Sequence, residues 1–577
     1  MNKKRPYTWL NQRIASGVPA GLLALFLGVW LFPAYGFPAG PFSGEDAPHL
    51  SLPAANLPNH PNPERTDPGQ TPVPSDENDD AEERILEKVI TLPRQLTTTY
   101  AALNQISRQT GYYFVYDSEL IDNDRRIRIQ KGSHPLRVFL TEILNDTTLQ
   151  FRVLEQHILI YQQEAPELTT ETVPDTSTVE EARLPEFFTI QGRVLEYDTG
   201  NPLPYASISI PGKGTGIASN LEGTFALKLP YSQIDTVVRF SYMGYKPKEM
   251  PLRLLRGRNI DVFLETDYIS MQEVTIRYYD PGAIIREALS KRKENFSNKP
   301  VYLTSFYREG IQRNKKLMRY SEAVFRVYKP AYTSLTDNDQ VKLLQSRHIT
   351  NIEATDSLEL KLEAGIGSSL ELDFMRNIPD FLDPESAGMY RFTKADIVSY
   401  NSRSTYAIEF KQSENINQAL YMGILYVDME TLAFVGAEFE VNPKYVNNEQ
   451  YLFIKRRSRD YAANIEQVKY TVRYQLIDGK YHLEHVRGEV KLRFRLKGKW
   501  FSNSYLAFFE HAVFHIETEG VSRFDKDETM KTHTVFAEQN TEYDYSFWGD
   551  YNYISPESEI SDALSEIRSK IESIVAE

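Results

Sequence analysis

Apolar and polar residues alternate over most of the second half of this chain. Val490, Leu492, Phe494 and Leu496 alternate with Lys491, Arg493, Arg495 and Lys497, the period of a strand with one face on a core. Comparable segments are Thr304 to Arg308, Met318 to Tyr328, Met389 to Tyr400, Thr405 to Phe410, Tyr421 to Val427, Ala433 to Val441, Gln467 to Leu476, His482 to Leu496 and Tyr505 to Thr518. Turn residues at Asp428 to Thr431, Asp478-Gly479 and Lys497 to Lys499 join them as hairpins. The pattern predicts a large antiparallel curved sheet or half-barrel with helices over 278–550. Ile366 to Leu382 is expected to form a helix on the concave side. A helix opens the region, with Asp280 as N-cap, Pro281 at its first position and Ile284, Ile285, Ala288 and Leu289 on one face. Another closes the chain over 551–577, where Ile560, Leu564, Ile567, Ile571 and Ile574 make a stripe that reads as core packing.

Upstream the periods are shorter. Over 84–163 a strand from Leu86 to Leu92 precedes Leu96, Tyr100, Leu103 and Ile106 at helical spacing, and Tyr112 to Tyr116 is a strand opened by Gly111. The order then repeats: Arg126 to Gln130, a helix from Pro135 carrying Leu136, Phe139, Leu140, Ile143 and Leu144, and a hairpin of Leu149 to Leu154 with His157 to Tyr161. Over 187–277 short β-branched and aromatic runs are bounded by Gly, Pro or Asn, as in a small antiparallel sandwich. There Ala206, Ile208 and Ile210 alternate with Tyr205, Ser207 and Ser209, and Gly223 supplies a positive φ for a hairpin.

The remaining stretches carry no such period. Residues 1–36 have the parts of a secretory signal peptide: Lys3, Lys4, Arg5 and Arg13, an apolar run from Val18 to Phe32, and Ala34-Tyr35-Gly36. The alternative is a membrane anchor, against which Gly17, Pro19, Gly21 and Pro33 weigh. Residues 37–83 are Pro, Asn and Asp rich and read as a disordered tether; 164–186 read as a second linker. A net charge of -14 excludes a general affinity for nucleic acid. With no cysteine there is no disulfide, thiolate chemistry or Cys-ligated zinc.

Three resemblances give these units names. Ala102-Leu103, Gly111 to Tyr116, Pro135-Leu136, Phe139-Leu140, Ile143-Leu144 and Ile158 to Ile160 resemble the short N-terminal (STN) domain shared by secretins and TonB-dependent transducers, which implies a small α/β module for protein contacts. Gly192-x-Val194, Asp198-x-Gly200, Pro202-Leu203-x-Tyr205-Ala206-x-Ile208-x-Ile210, Gly214-x-Gly216, Glu222-Gly223-x-Phe225 and Gly244-Tyr245 resemble the carboxypeptidase-regulatory-like domain, which implies a transthyretin-like β-sandwich with no peptidase site. Ser219-Asn220 stands where the family has Thr-Asp, and Asn serves that turn equally well. Glu273 to Ile276 resembles the end of this domain in TonB-dependent receptors, but a helix follows instead of a plug, which disfavours a receptor. Phe306 to Glu309, Glu322 to Val324, Tyr421 to Asp428 and Phe547 to Tyr551 resemble the uncharacterised C-terminal part of Bacteroidetes-type envelope proteins; the third also resembles the curved sheet of periplasmic lipoprotein carriers. The chain is thus expected to be a multidomain α+β and all-β protein.

The sequence has no Gly-x-Ser-x-Gly elbow, phosphate loop or His-Glu-x-x-His pair. His482 and His485 are expected on opposite faces of one strand. His511, His515 and Glu517 are expected on a shared face, a metal reading outweighed by that of a wet strand face. Asp428 and Glu430 sit in a turn that wants Asp for its backbone. No catalytic, cofactor or metal residue is therefore assigned. The expected function is a non-enzymatic adaptor or ligand-binding protein, exported to the periplasm or outer membrane of a Gram-negative bacterium. Its STN-like domain would meet an envelope protein and its C-terminal β domain a hydrophobic or glycan ligand. The alternatives are an outer-membrane β-barrel built from the C-terminal part, since alternating strands suit that too, and an unrecognised envelope hydrolase. The 187–277 unit is expected to be a rigid spacer.

Overall fold

The computed structural model describes residues 84–162, 186–267, 280–334, 336–350, 365–448, 461–532, 548–549 and 551–576. The signal, tether and linker expectations fall outside them, save Glu186. What is described is mostly β-strand, in large antiparallel sheets with few helices. Among the described residues no helix is long and apolar enough to cross a membrane.

The first unit contains β1 (Val89–Leu92), β2 (Gln95–Thr98), α1 (Thr99–Thr110), β3 (Tyr113–Val115), β4 (Arg126–Ile129), β5 (Gly132–Pro135), α2 (Leu136–Leu144), β6 (Leu149–Leu154) and β7 (His157–Gln162). Thr98 caps α1 by accepting from the Ala101 amide, so Leu96 belongs to a strand and not to the helix its spacing suggested. Leu103, Ile106, Phe139, Leu140 and Ile158 form its core. β3 is an edge strand, paired only with β7.

The second unit contains β8 (Phe187–Glu196), β9 (Ser207–Ile210), β10 (Thr215–Ala218), β11 (Thr224–Pro230), β12 (Val237–Ser241), β13 (Lys248–Pro251), the single turn α3 (Leu252–Leu255) and β14 (Asn259–Leu264). Sheet β11-β8-β14 faces β13-β12-β9-β10 across Ile190, Ile208, Phe225, Val238 and Val262. The turn before β11 follows the sequence. The Asn220 side chain accepts from the Glu222 and Thr224 amides, and Gly223 has φ of 74°. A Cβ at Gly223 would stand 2.5 Å from the Val194 carbonyl oxygen, so only glycine fits.

The third unit opens with α4 (Pro281–Ser290), capped by Asp280, and the short α5 (Arg292–Asn295). Its first strands are β15 (Val301–Arg313), β16 (Lys316–Lys329) and β17 (Gln340–Thr350), followed by α6 (Gly365–Glu371). Then come β18 (Tyr390–Tyr400), β19 (Arg403–Gln412), β20 (Tyr421–Asp428), β21 (Phe434–Val441), β22 (Tyr461–Ile477), β23 (Lys480–Leu496) and β24 (Ser502–Glu517), and lastly α7 (Ser558–Ala576). They form one antiparallel run, β17-β16-β15-β24-β23-β22-β21-β20-β19-β18. The expected helix over Ile366 to Leu382 is helical only to Glu371. Beyond it Leu372, Phe374, Met375, Phe381 and Leu382 turn back into the sheet and fill its concave side.

The sandwich is not a spacer. β24 has β15 on one side and β23 on the other, and where β23 leaves it at the His485/Ala512 pair, β10 takes over at Thr215/His515. The sandwich and the third unit therefore share a fourteen-stranded sheet. They also share a core, since Phe306, Val324, Ala512 and Phe514 pack with Ile208 and Phe225. The polar residues Tyr205 and Ser207, which alternation placed outward, face the sheet: Ser207 donates to Glu484 and Tyr205 stacks on His485. The first part of the C-terminal stripe is core as expected, with Ile560, Leu564 and Ile567 packed on Tyr320 and Phe508.

Candidate ligand cleft and the buried charge ladder

A cleft of about 400 Å³ separates the first unit from the sandwich. One wall is α1 and β3, with Tyr100, Arg108, Tyr113 and Tyr116; the other is β13, β14 and adjoining loops, with Tyr197, Lys248, Asp261, Phe263 and Glu265. Tyr100 lies flat on Phe263 with centroids 3.6 Å apart, and the Arg108 Nε donates to the Tyr197 hydroxyl at 2.8 Å. Asp261 accepts from Asn123 across the cleft and from both Arg193 donors within the sandwich. Lys248 sits 5.2 Å over the Tyr113 ring, and burial pulls its ammonium down to about 8. The Tyr100 hydroxyl is buried without a hydrogen-bond partner among the described residues, and burial drives its pKa well up. Three sheet-end strands border this space. β3 ends the sheet β3-β7-β6, β13 ends the fourteen-stranded sheet and β14 ends the sheet β11-β8-β14, and all three line the cleft. Flat aromatic faces, charges of both signs and strand edges suit binding.

The other concentration of charge lies under the sandwich. Arg347, Glu322, Arg308, Glu510 and Arg487 stand directly opposite one another on β17, β16, β15, β24 and β23, alternating in sign along one row. None is more than 4% exposed. Glu322 accepts from the Arg347 Nε at 2.6 Å, and Glu510 from the Arg308 Nε at 2.6 Å and Arg487 at 3.3 Å. Glu557, just ahead of α7, accepts from Arg308 at 2.8 Å. Burial alone would raise the Glu510 carboxyl, but Arg308, His485 and Arg487 hold it well below the carboxylate range. Ionised, it can only accept, so the His485 Nε2 at 2.8 Å carries a proton. A Glu, a His and two Arg together resemble a catalytic cluster. Yet Tyr205 and Glu557 close over them and leave no room for a substrate.

The histidines on β24 part company. One extra residue between Val513 and His515 against Ser305/Thr304 makes a β-bulge, which reverses the alternation. His511 therefore turns inward beside Ser369, and burial pushes it down to about 3. His515 and Glu517 emerge on the ladder side, where His515 meets Thr215. The expected shared face does not exist, and among the described residues no group of His, Asp and Glu could hold a metal. A bulge on β23 likewise interrupts the alternation between His482 and His485 on which their separation was argued. Asp428 behaves as its turn required: burial works to raise it, but Arg403 and the Thr431 amide and hydroxyl outweigh that and keep it ionised. The ladder and the cleft were both missed from sequence. The ladder's members sit at alternate strand positions, which read as a wet face, and the cleft lies between units.

These geometries define a β-rich multidomain fold. Comparison with known proteins identifies one part of it: residues 190–276 match the family model of the CarboxypepD_reg-like domain, as the resemblance implied. No curated protein matches the chain. Among solved structures, a DUF1329 family protein from Desulfovibrio piger is 13% identical, with 42% of this chain and 96% of that one covered at a TM-score of 0.19. Lipovitellin is 8% identical, with 40% and 27% covered at a TM-score of 0.21.

Proposed function

We propose that this protein is a non-enzymatic component of the Gram-negative envelope that captures an extended segment of a partner protein in the cleft between its STN-like first unit and its transthyretin-like sandwich. The observation that carries the reading is the pair of edge strands, β3 and β13, bordering one cleft. An edge offers a row of backbone donors and acceptors to an incoming strand, and pockets beside it select side chains. Tyr100, Tyr113 and Phe263 supply the apolar contact, and Arg108, Lys248, Asp261 and Glu265 the polar one. The signal-like residues 1–36 support export. A filled concave side supports the cleft, rather than the large sheet, as the ligand site. An open run, in which β17 pairs only with β16 and β18 only with β19 among the described residues, favours this reading over a barrel.

A photo-crosslinking amino acid at Ser107, on the cleft wall, tests it in living cells. One discrete adduct with an envelope protein is expected there, and none from the same group at Lys411, which is exposed on β19 and does not line the cleft. Absence of an adduct at Ser107, or the same adducts from both positions, would overturn the proposal.

A further inference from the structure

The turn joining β23 to β24 carries Trp500 and Phe501, which are 96% and 90% exposed. They are the most exposed large apolar side chains described, side by side at a hairpin tip. Leu496, 36% exposed, lies at the tip's base. The tip is held in place: the Lys499 amide donates to the Leu496 carbonyl, Gly498 takes φ of 81°, and Arg495 pairs with Ser502 below. Folding therefore leaves two bulky aromatics in water on a fixed support, where a turn needs neither.

The two chain stretches that meet at this tip are basic. From Val490 to Phe509 there is no Asp or Glu, while Lys491, Arg493, Arg495, Lys497 and Lys499 all fall within that stretch. The turn between β15 and β16 abuts this hairpin, with the Asn314 amide donating to the Ser504 carbonyl and its side chain to Asn503. It adds Lys315 and Lys316, and it too is free of acids from Gly310 to Ser321. Of these cations Arg493 is engaged, with Glu466. The chain as a whole carries -14, but charges act over about 8 Å in physiological salt, so the tip is governed by its own cations.

We infer that the Trp500-Phe501 tip is a membrane foot that docks the folded protein on an anionic phospholipid bilayer. The aromatic pair would lodge at the headgroup level, where Trp is favoured, and Lys497, Lys499, Lys315 and Lys316 would meet lipid phosphates. The charge pattern argues for this occupant over a second copy, because a twofold contact would set this basic tip against another like itself. The inference rests on the envelope location proposed above but not on the cleft.

Because the chain has no cysteine, Ser502→Cys gives one labelling site beside the foot. The full chain, carrying an environment-sensitive dye there, is mixed with vesicles of equal parts phosphatidylethanolamine and phosphatidylglycerol. A blue shift and protection from aqueous iodide are expected. Partitioning should be weaker by at least roughly tenfold on purely zwitterionic vesicles, given the contribution of several surface cations. The same dye at Ser133→Cys, in the first unit, should not respond. Adding Trp500→Ala and Phe501→Ala should abolish the response at position 502 without moving the melting temperature. No response at 502, an equal response in the double-alanine variant, or a response that grows with protein concentration in the absence of vesicles would each overturn the inference. The last would assign the tip to self-association. The dye reads the foot whatever the cleft binds, so loss of the Ser107 adduct and loss of this response are separate outcomes.

Discussion

Arg308 shows what one buried guanidinium does here. It touches Glu510, Glu557 and the Ser555 carbonyl, and so ties the sheet to the C-terminal segment. Arg308→Met would take the cation from Glu557 and one of two arginines from Glu510, and a buried pair broken on one side costs roughly 3–5 kcal/mol. Urea unfolding should show a loss in that range; a loss near zero would mean the row carries no weight. Glu309, the next residue, faces the opposite side and receives the Tyr307 hydroxyl at 2.7 Å, and burial raises it to about 7. A carboxyl raised in the folded state stabilises below its unfolded pKa, and that contribution is lost as pH rises through its folded one. Glu309→Gln, which mimics the protonated acid, should therefore be near neutral at about pH 5 and gain roughly 2 kcal/mol over the parent at about pH 8. Chemical denaturation at the two pH values measures this.

At the scale of elements, the turn at Gly223 and the tail from Asn552 matter most. Gly223→Ala forces a Cβ against the Val194 carbonyl at a left-handed φ, and a loss of at least about 2 kcal/mol in thermal or urea unfolding is expected. The tail lies against the sandwich: Asn552 both accepts from and donates to the Lys228 backbone, and Glu222 receives the Ser558 amide and hydroxyl. Removing residues 551–577 should strip Arg308 of its Glu557 partner, uncover Tyr320 and Phe508, and open the seam to limited proteolysis while the strands persist by circular dichroism. Most strands, the Asp280 cap and the closing helix were legible, because each is specified by its own residues. β17 was not: Gln340 to Thr350 lacks clean alternation and includes a bulge against β16. The two bulges on β23 and β24 were hidden as well, since one inserted residue leaves no local mark yet parts His511 from His515 and Glu517 and makes it a core residue in place of the expected wet-face one. The ladder was illegible for a different reason. Arg308, Glu322, Arg487 and Glu510 follow the polar half of each strand's period, and only the covering sandwich makes that half an interior.

For the whole molecule, the shared sheet and shared core predict coupled unfolding. The second and third units should melt in one calorimetric transition, with the calorimetric and van't Hoff enthalpies agreeing for that step. An isolated 187–277 fragment would expose Ser207, Tyr205 and the edge of β10, and should melt well below the intact chain. Two resolved transitions for 187–577 would contradict this. The first unit joins the sandwich through fewer ties, among them Arg253 with Glu155 and the Ser118 amide with the Asn259 carbonyl, so an independent transition there is compatible with the structure.

The single backbone register pair between β10 and β24 bears on how such a molecule takes tension. Strands pulled apart across one pair unzip at low force, whereas many pairs loaded in parallel resist together. Under a stretching load between its ends, the joint's strength would come from side chains: the Arg308 clamp, the Ser207 to Glu484 bond and Tyr205 on His485. The C-terminal tail, laced over the same seam, then works as a tether that must be drawn off before the two halves can separate.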